Sequence, residues 1–167
     1  MTAKEVLVLG VGNDLLGDDA VGLIAAARLA EAGLPVRTTS RSGLALLDEV
    51  VGFRRVLLLD SQVTGRAPGT LTEFTLDPER VRSPSAHYVG YGEALTIAAA
   101  VGLALPEEVR VLAIECSPAL DFGSDLSEAV SAALPALLER AGAIVRDWSA
   151  QPAAASDSRE AAVPARE

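Results

Sequence analysis

Short apolar runs and helix-like patterns alternate along the chain. The apolar runs, each bounded by turn residues, predict five strands near residues 5–10, 35–39, 55–60, 70–76 and 109–115. The helical patterns between and after them predict helices near residues 18–32, 43–51, 88–102 and 125–143. This alternation predicts an α/β domain with three layers, in which helices cover both faces of a twisted, mostly parallel five-stranded sheet.

The fourth predicted strand, residues 70–76, is expected at an edge of the sheet, antiparallel to the third. Only the turn at residues 65–69 separates the two strands, and a parallel return needs a longer crossover connection. Leu71, Phe74 and Leu76 do not alternate cleanly with polar residues, as we expect for an edge strand. The sequence therefore predicts one antiparallel edge strand in an otherwise parallel sheet.

The length and composition fit one domain followed by a tail. The chain has 167 residues, half of them apolar, which is enough for one well-packed core. We assign residues 1–146 to a single α/β domain. From about residue 147 the composition lacks a core-forming pattern, so residues 147–167 are predicted to be a disordered C-terminal tail.

Charge and composition argue against several classes of protein. A net charge of −9 disfavours nucleic-acid binding, because phosphate recognition needs a basic surface. No apolar run approaches the roughly 20 residues that span a bilayer, and no secretory signal pattern is present. The single cysteine, Cys116, permits no internal disulfide. We therefore expect a cytoplasmic monomer without membrane or nucleic-acid partners.

Two adjacent carboxylates, Asp18 and Asp19, follow the first predicted strand and its glycine-containing loop. The helix dipole favours carboxylates in a first helical turn, and open α/β sheets build their sites in loops that follow strands. Asp18 has a structural explanation as a helix cap. Because one cap suffices, Asp19 is the better candidate for a functional residue.

Asp60 and His87 are the other candidates for chemistry. Asp60 ends the third strand, so it faces the same crevice as Asp19 if the first and third strands are parallel. It could equally finish the strand or cap a turn. His87, the single histidine, precedes an alanine-rich helix whose dipole favours the neutral, metal-competent ring. A lone histidine is nevertheless more often a surface or core residue than a ligand.

The N-terminal loop resembles that of the hydrogenase maturation endopeptidases, which trim the C-terminal extension from the large subunit of nickel–iron hydrogenases. Their pattern is a strand followed by G-x-G-N-x-L-x-x-D-[DE]-x-x-G. The chain matches it at Gly10, Gly12, Asn13, Leu15, Asp18, Asp19 and Gly22. The resemblance covers about residues 5–145 and includes the segments that carry Asp60 and His87.

The resemblance implies a metal site formed by three residues. In the family, the second acidic residue of the loop, the aspartate that ends the third strand and a histidine ahead of the next helix are metal ligands. In this chain those residues are Asp19, Asp60 and His87. Two carboxylates and one imidazole suit nickel, zinc, cobalt or manganese and select little between them.

The resemblance also implies an endopeptidase that removes the C-terminal extension of a hydrogenase large-subunit precursor after nickel insertion. The nickel is expected to be carried by the precursor as the recognition element, although other divalent metals could occupy the site in vitro. The sequence does not identify a nucleophile, so metal-assisted hydrolysis through Asp19, Asp60 and His87 is the expectation. A non-catalytic chaperone or metal-sensing module that binds the nickel-loaded precursor is the alternative.

Other readings of the sequence are weaker. Cys116 could be a nucleophile with His87 as its base, but a single buried cysteine is usually a small packing residue. Glu115 ends the last strand and could line the crevice indirectly. A dinucleotide site is disfavoured because Leu15 replaces the third glycine of its fingerprint, and an aspartyl-phosphate site because Asp60 lacks a second aspartate.

The chain departs from the family pattern at residues 38–43. Many members carry an acidic residue and then G-G-T-x-G in this loop, which is implicated in substrate recognition. Here only the final glycine, Gly43, is kept, and Arg41 replaces a threonine. The identity of the precursor therefore remains open from the sequence.

Overall fold

The computed structural model of the chain describes residues 4–76, 91–118, 122–123 and 125–151. Its five strands are β1 Lys4–Val11, β2 Val36–Thr39, β3 Phe53–Gln62, β4 Leu71–Thr75 and β5 Glu108–Glu115. Its four α-helices are α1 Val21–Glu31, α2 Leu47–Val50, α3 Tyr91–Ala100 and α4 Glu128–Ala150. Short 3-10 turns, Gly17–Ala20 and Gly43–Leu46, lead into α1 and α2.

The strands form one sheet in the order β2-β1-β3-β5-β4. Neighbouring strands are parallel except for β4, which pairs antiparallel with β5 at the edge of the sheet. The mostly parallel sheet and its antiparallel edge strand are thus confirmed. Although β4 follows β3 along the chain, β5 lies between them, so the short turn at residues 65–69 joins strands that are not neighbours.

Helices cover both faces of the sheet, which confirms the three-layer prediction. On one face, Val56 and Leu58 of β3 belong to the same core cluster as Leu47 of α2 and Leu95 of α3. On the other face, the alternate β3 residues pack with α1 and α4. Every residue of β3 is buried, as expected for the central strand of a parallel sheet.

The last helix is longer than predicted. We expected it to end near residue 143, but α4 continues to Ala150 because Ile144, Val145 and Trp148 pack into the core. Residues 147–150, assigned to the disordered tail, are therefore helical. Residues 152–167 lie outside the described residues, as does the predicted start of α3 at residue 88. No helix in the described part of the chain combines the length and apolar character needed to cross a membrane.

Candidate functional site

We call the region between the carboxyl ends of β1 and β3 the crevice. The last register pair between these strands is Gly10 with Leu59. Beyond it, β1 continues beside β2 and β3 continues beside β5. After β1 the chain continues to β2, at one edge of the sheet, and after β3 it continues to β4, at the other edge. Open α/β folds bind their ligands where the strand order reverses in this way.

Two glycines allow the start of α1 to lie directly on these strand ends. A Cβ atom at Gly22 would lie 2.2 Å from the carbonyl oxygen of Val11 and 2.3 Å from that of Leu59. A Cβ atom at Gly10 would lie 2.4 Å from the carbonyl oxygen of Gly22. Any larger side chain would push the helix away from the sheet. The glycines of the N-terminal pattern therefore bring Asp18 and Asp19 to the crevice.

Hydrogen bonds within the loop fix its conformation. The Asn13 side-chain oxygen accepts from the backbone N–H of Leu15 at 3.0 Å, and the Asn13 N–H donates to the carbonyl of Asp19 at 3.3 Å. The Gly12 N–H donates to the carbonyl of Thr39 on β2 at 3.2 Å. The loop is thus tied both to itself and to the neighbouring strand.

The structure brings Asp19 and Asp60 together through Ser61. The Ser61 hydroxyl donates to Oδ1 of Asp19 at 2.6 Å, and the Ser61 backbone N–H donates to Oδ1 of Asp60 at 2.8 Å. Both carboxylates are buried, with exposed fractions of 4 % and 0 %. One residue therefore orients both predicted ligands. Sequence reasoning missed Ser61, although its position next to Asp60 was the available signal.

The third predicted ligand, His87, lies outside the described residues, so the convergence of all three stays a prediction. Within the described ranges, no group of three or more histidine, cysteine or acidic residues could hold a metal ion. The two carboxylates are nevertheless ligands of the oxygen-donor type that suits hard and borderline divalent cations.

Asp18 has a different role from its neighbour. Its Oδ1 accepts from the backbone N–H of Ser127 at 2.6 Å, and Ser127 is the N-cap residue of α4. Asp18 does not cap α1, the structural alternative for this residue, since neither that helix nor the 3-10 turn before it has a side-chain cap. Asp18 instead binds an N–H group at the start of a helix distant in sequence. It links the loop to α4.

Glu115 stabilises the turn after β3. Its carboxylate accepts from the backbone N–H groups of Thr64, Gly65 and Arg66 and from the Thr64 hydroxyl, at 2.5 to 3.1 Å. Burial alone would raise the pKa of Glu115. The hydrogen bonds to its charged form have the larger combined effect, so the pKa is lowered. Glu115 therefore holds the turn.

The environment of Cys116 opposes a nucleophilic role. The residue is 2 % exposed and belongs to the core cluster beneath α1 and α4. Burial first, and then the negative charges of Asp18, Asp19 and Asp60, raise the pKa of the thiol to about 12. At neutral pH the sulfur is protonated and weakly nucleophilic.

Arg41, in the loop that departs from the family pattern, lies on the surface. Its guanidinium forms an ion pair with Asp48 at 3.1 Å, and both side chains are exposed. Its backbone N–H donates to the Thr39 hydroxyl at 3.1 Å. The loop therefore presents a cation at the end of the sheet that carries the crevice.

Comparison with known proteins agrees with this architecture, although no family model matches the chain. The hydrogenase expression/formation protein HoxM of Azotobacter vinelandii is 32% identical over 148 residues, 82% of this chain and 70% of that protein. The hydrogenase maturating endopeptidase HybD of E. coli superposes with a TM-score of 0.70 at 25% identity, covering 86% and 93% of the two chains. The [NiFe] hydrogenase maturation protease HybD of Thermococcus kodakarensis gives 0.69 at 28% identity, covering 84% and 98%. The chain belongs to the hydrogenase maturation endopeptidase family.

Proposed function

We propose that the protein removes the C-terminal extension of a nickel–iron hydrogenase large-subunit precursor after nickel insertion, with the bound nickel as the recognition element. The observation that carries the proposal is the pair of buried carboxylates, Asp19 and Asp60, oriented by Ser61 at the crevice. Such a pair favours a cation carried into the crevice by a substrate.

In this proposal the protein's residues bind and orient the substrate. Asp19, Asp60 and His87 complete the coordination of the precursor's nickel from outside, which places the nearby peptide bond in the crevice. The substrate's metal supplies polarisation of a carbonyl group or of a water molecule. Cys116 contributes no nucleophile, because its raised pKa of about 12 keeps the thiol neutral.

The test is incubation of the purified protein with nickel-loaded precursor and, in parallel, with nickel-free precursor. Mass spectrometry of the large subunit then measures the mass of its C-terminal segment. We expect loss of the extension from the nickel-loaded precursor only. An Asp19→Asn protein serves as the inactive reference, because it keeps the shape of the side chain and an acceptor for Ser61 while removing the charge.

Two results would contradict the proposal. Binding of the nickel-loaded precursor without cleavage would support the non-catalytic chaperone or metal-sensing alternative. Equal cleavage of both precursors would remove nickel as the recognition element. If both precursors are cleaved equally and the purified protein also contains stoichiometric metal that chelators do not remove, the protein is a conventional metallopeptidase.

A further inference from the structure

Among the described residues, most of the exposed large hydrophobic side chains lie at the carboxyl end of the sheet. Among the described residues there are seven, of which four follow the carboxyl ends of β1, β2, β3 and β5: Leu15, Leu44, Val63 and Phe122. The other three lie at the end of α3 that leads into β5, at the opposite end of the sheet: Ile97, Val101 and Leu103. The first four side chains form an apolar rim at the same end of the sheet as the buried carboxylates of Asp19 and Asp60.

Leu15 and Phe122 form an adjacent pair within this rim. Leu16 and Gly123 make a parallel β-bridge, with the Gly17 N–H donating to Gly123 O at 2.7 Å and the Gly123 N–H donating to Leu15 O at 3.1 Å. The bridge places the backbones of Leu15 and Phe122, which precede its two residues, side by side. Their side chains are 65 % and 89 % exposed.

The backbone holds this pair at a fixed position relative to Asp19. The Leu15 N–H donates to Asn13 Oδ1 at 3.0 Å, and the Asp19 N–H donates to the Leu16 carbonyl at 2.9 Å. Neither side chain is needed for these bonds, so packing of the loop does not explain why they are large and apolar. Exposed apolar side chains on a fixed loop beside a site are typical of a binding surface.

We propose that Leu15 and Phe122 bind an apolar side chain of the polypeptide being cleaved, close to the scissile bond. This inference rests on the proposed function. The position of the pair indicates that its ligand is the substrate polypeptide, because a polypeptide whose peptide bond reaches Asp19 passes the loop that carries Leu15. The choice of an apolar side chain follows from the chemistry of the surface: Leu15 and Phe122 are exposed and uncharged, so burying them favours such a side chain over a charged one.

The test is the steady-state cleavage of nickel-loaded precursor by Leu15→Ala and Phe122→Ala proteins. We expect KM to rise about tenfold in each, as for the loss of one buried apolar side chain, with kcat within twofold of the unchanged protein. Ile97→Ala and Val101→Ala are matched controls, since they remove exposed apolar side chains at the other end of the sheet. Their KM values should not change.

Unchanged KM in both the Leu15→Ala and the Phe122→Ala protein would overturn the inference. A lower kcat at unchanged KM would also overturn it, because that result would indicate that these side chains shape the Asp19 loop. Thermal unfolding verifies folding, and Phe122→Leu, which keeps an apolar side chain, should retain most of the affinity. If the unchanged protein binds precursor without cutting it, the proposed function fails. The same variants compared by Kd then still test the docking surface.

Discussion

The Ser61 hydroxyl donates to the carboxylate of Asp19 across 42 positions of sequence, at a distance of 2.6 Å. The same residue donates its backbone N–H to Asp60. Ser61 therefore fixes the relative orientation of two carboxylates that come from different elements, the 3-10 turn before α1 and strand β3. A hydrogen bond to a charged acceptor in a buried site contributes more than one on the surface.

We expect Ser61→Ala to lower kcat for precursor cleavage about tenfold to a hundredfold, as when a residue that orients a metal ligand is lost. Stability should fall by about 1–2 kcal/mol, because Asp19 loses a buried donor. Ser61→Thr, which restores the hydroxyl, should recover most of the activity. Cleavage kinetics and urea unfolding measure the two effects. A kcat within twofold of the unchanged protein for Ser61→Ala would show that the bond does not position Asp19.

The neighbours Asp18 and Asp19 should respond oppositely to the same substitution. Asp19→Asn is expected to lower cleavage by about a hundredfold or more while leaving stability nearly unchanged, because Ser61 keeps an acceptor but the charge is lost. Asp18→Asn should keep its activity and lose less than about 1 kcal/mol of stability, since its role is to accept from the α4 N-terminus. Mass spectrometry and thermal unfolding separate the two outcomes. Loss of activity in a folded Asp18→Asn protein would contradict this division of roles.

For His87 the prediction still rests on the family resemblance. His87→Ala should abolish processing of the nickel-loaded precursor, because the third expected ligand is removed. A change in stability of no more than about 0.5 kcal/mol would show that the loss of processing comes from the site and not from unfolding. The measurement is precursor mass after incubation, alongside the unfolding midpoint. A fully processed precursor would eliminate His87 from the site.

Cys116 is expected to be chemically inert in the folded protein. Since the pKa of its thiol is raised to about 12 and the residue is buried, iodoacetamide at pH 8 should alkylate the native protein far more slowly than the urea-unfolded protein. Cys116→Ala should retain full cleavage and lose about 1 kcal/mol of stability. Rapid alkylation that abolishes cleavage would instead restore the cysteine-nucleophile hypothesis.

Glu115 should make stability depend on pH in the acid range. Its pKa is lowered in the folded protein, so its contribution is fully present above the ordinary value of 4.5 and is lost as the pH falls through the folded-state pKa. We expect Glu115→Gln to cost about 2–3 kcal/mol at pH 7, because acceptor capacity for the turn is lost. The variant should also lose less additional stability between pH 5 and pH 3.

Urea midpoints measured across that pH range test the Glu115 prediction. Glu139→Gln, which alters an exposed carboxylate on α4, is the matched control. Parallel acid profiles for the Glu115→Gln protein and the unchanged protein would show that the hydrogen bonds to the turn do not set this pH dependence.

Much of the fold follows from local patterns. The alternation of apolar runs and helical segments was sufficient to predict the five strands, and the short turn at residues 65–69 was sufficient to predict the antiparallel direction of β4. Both features depend only on residues that are neighbours in sequence. The end of α4 was predicted too early. Its last turns are stabilised by the packing of Trp148 and Val145 against the sheet, and local composition does not contain that information.

The sequence by itself determined which residues could form the site, and the tertiary structure decided how each is used. Asp19 and Asp60 could be chosen because they follow predicted strand ends and because they match the pattern of the family that the chain resembles. The insertion of β5 between β3 and β4 and the bridging role of Ser61 were not visible. Nor was the bond from Ser127 to Asp18, which spans 109 positions. These contacts join segments whose approach is set by the packing of whole strands and helices, and no local pattern encodes that approach.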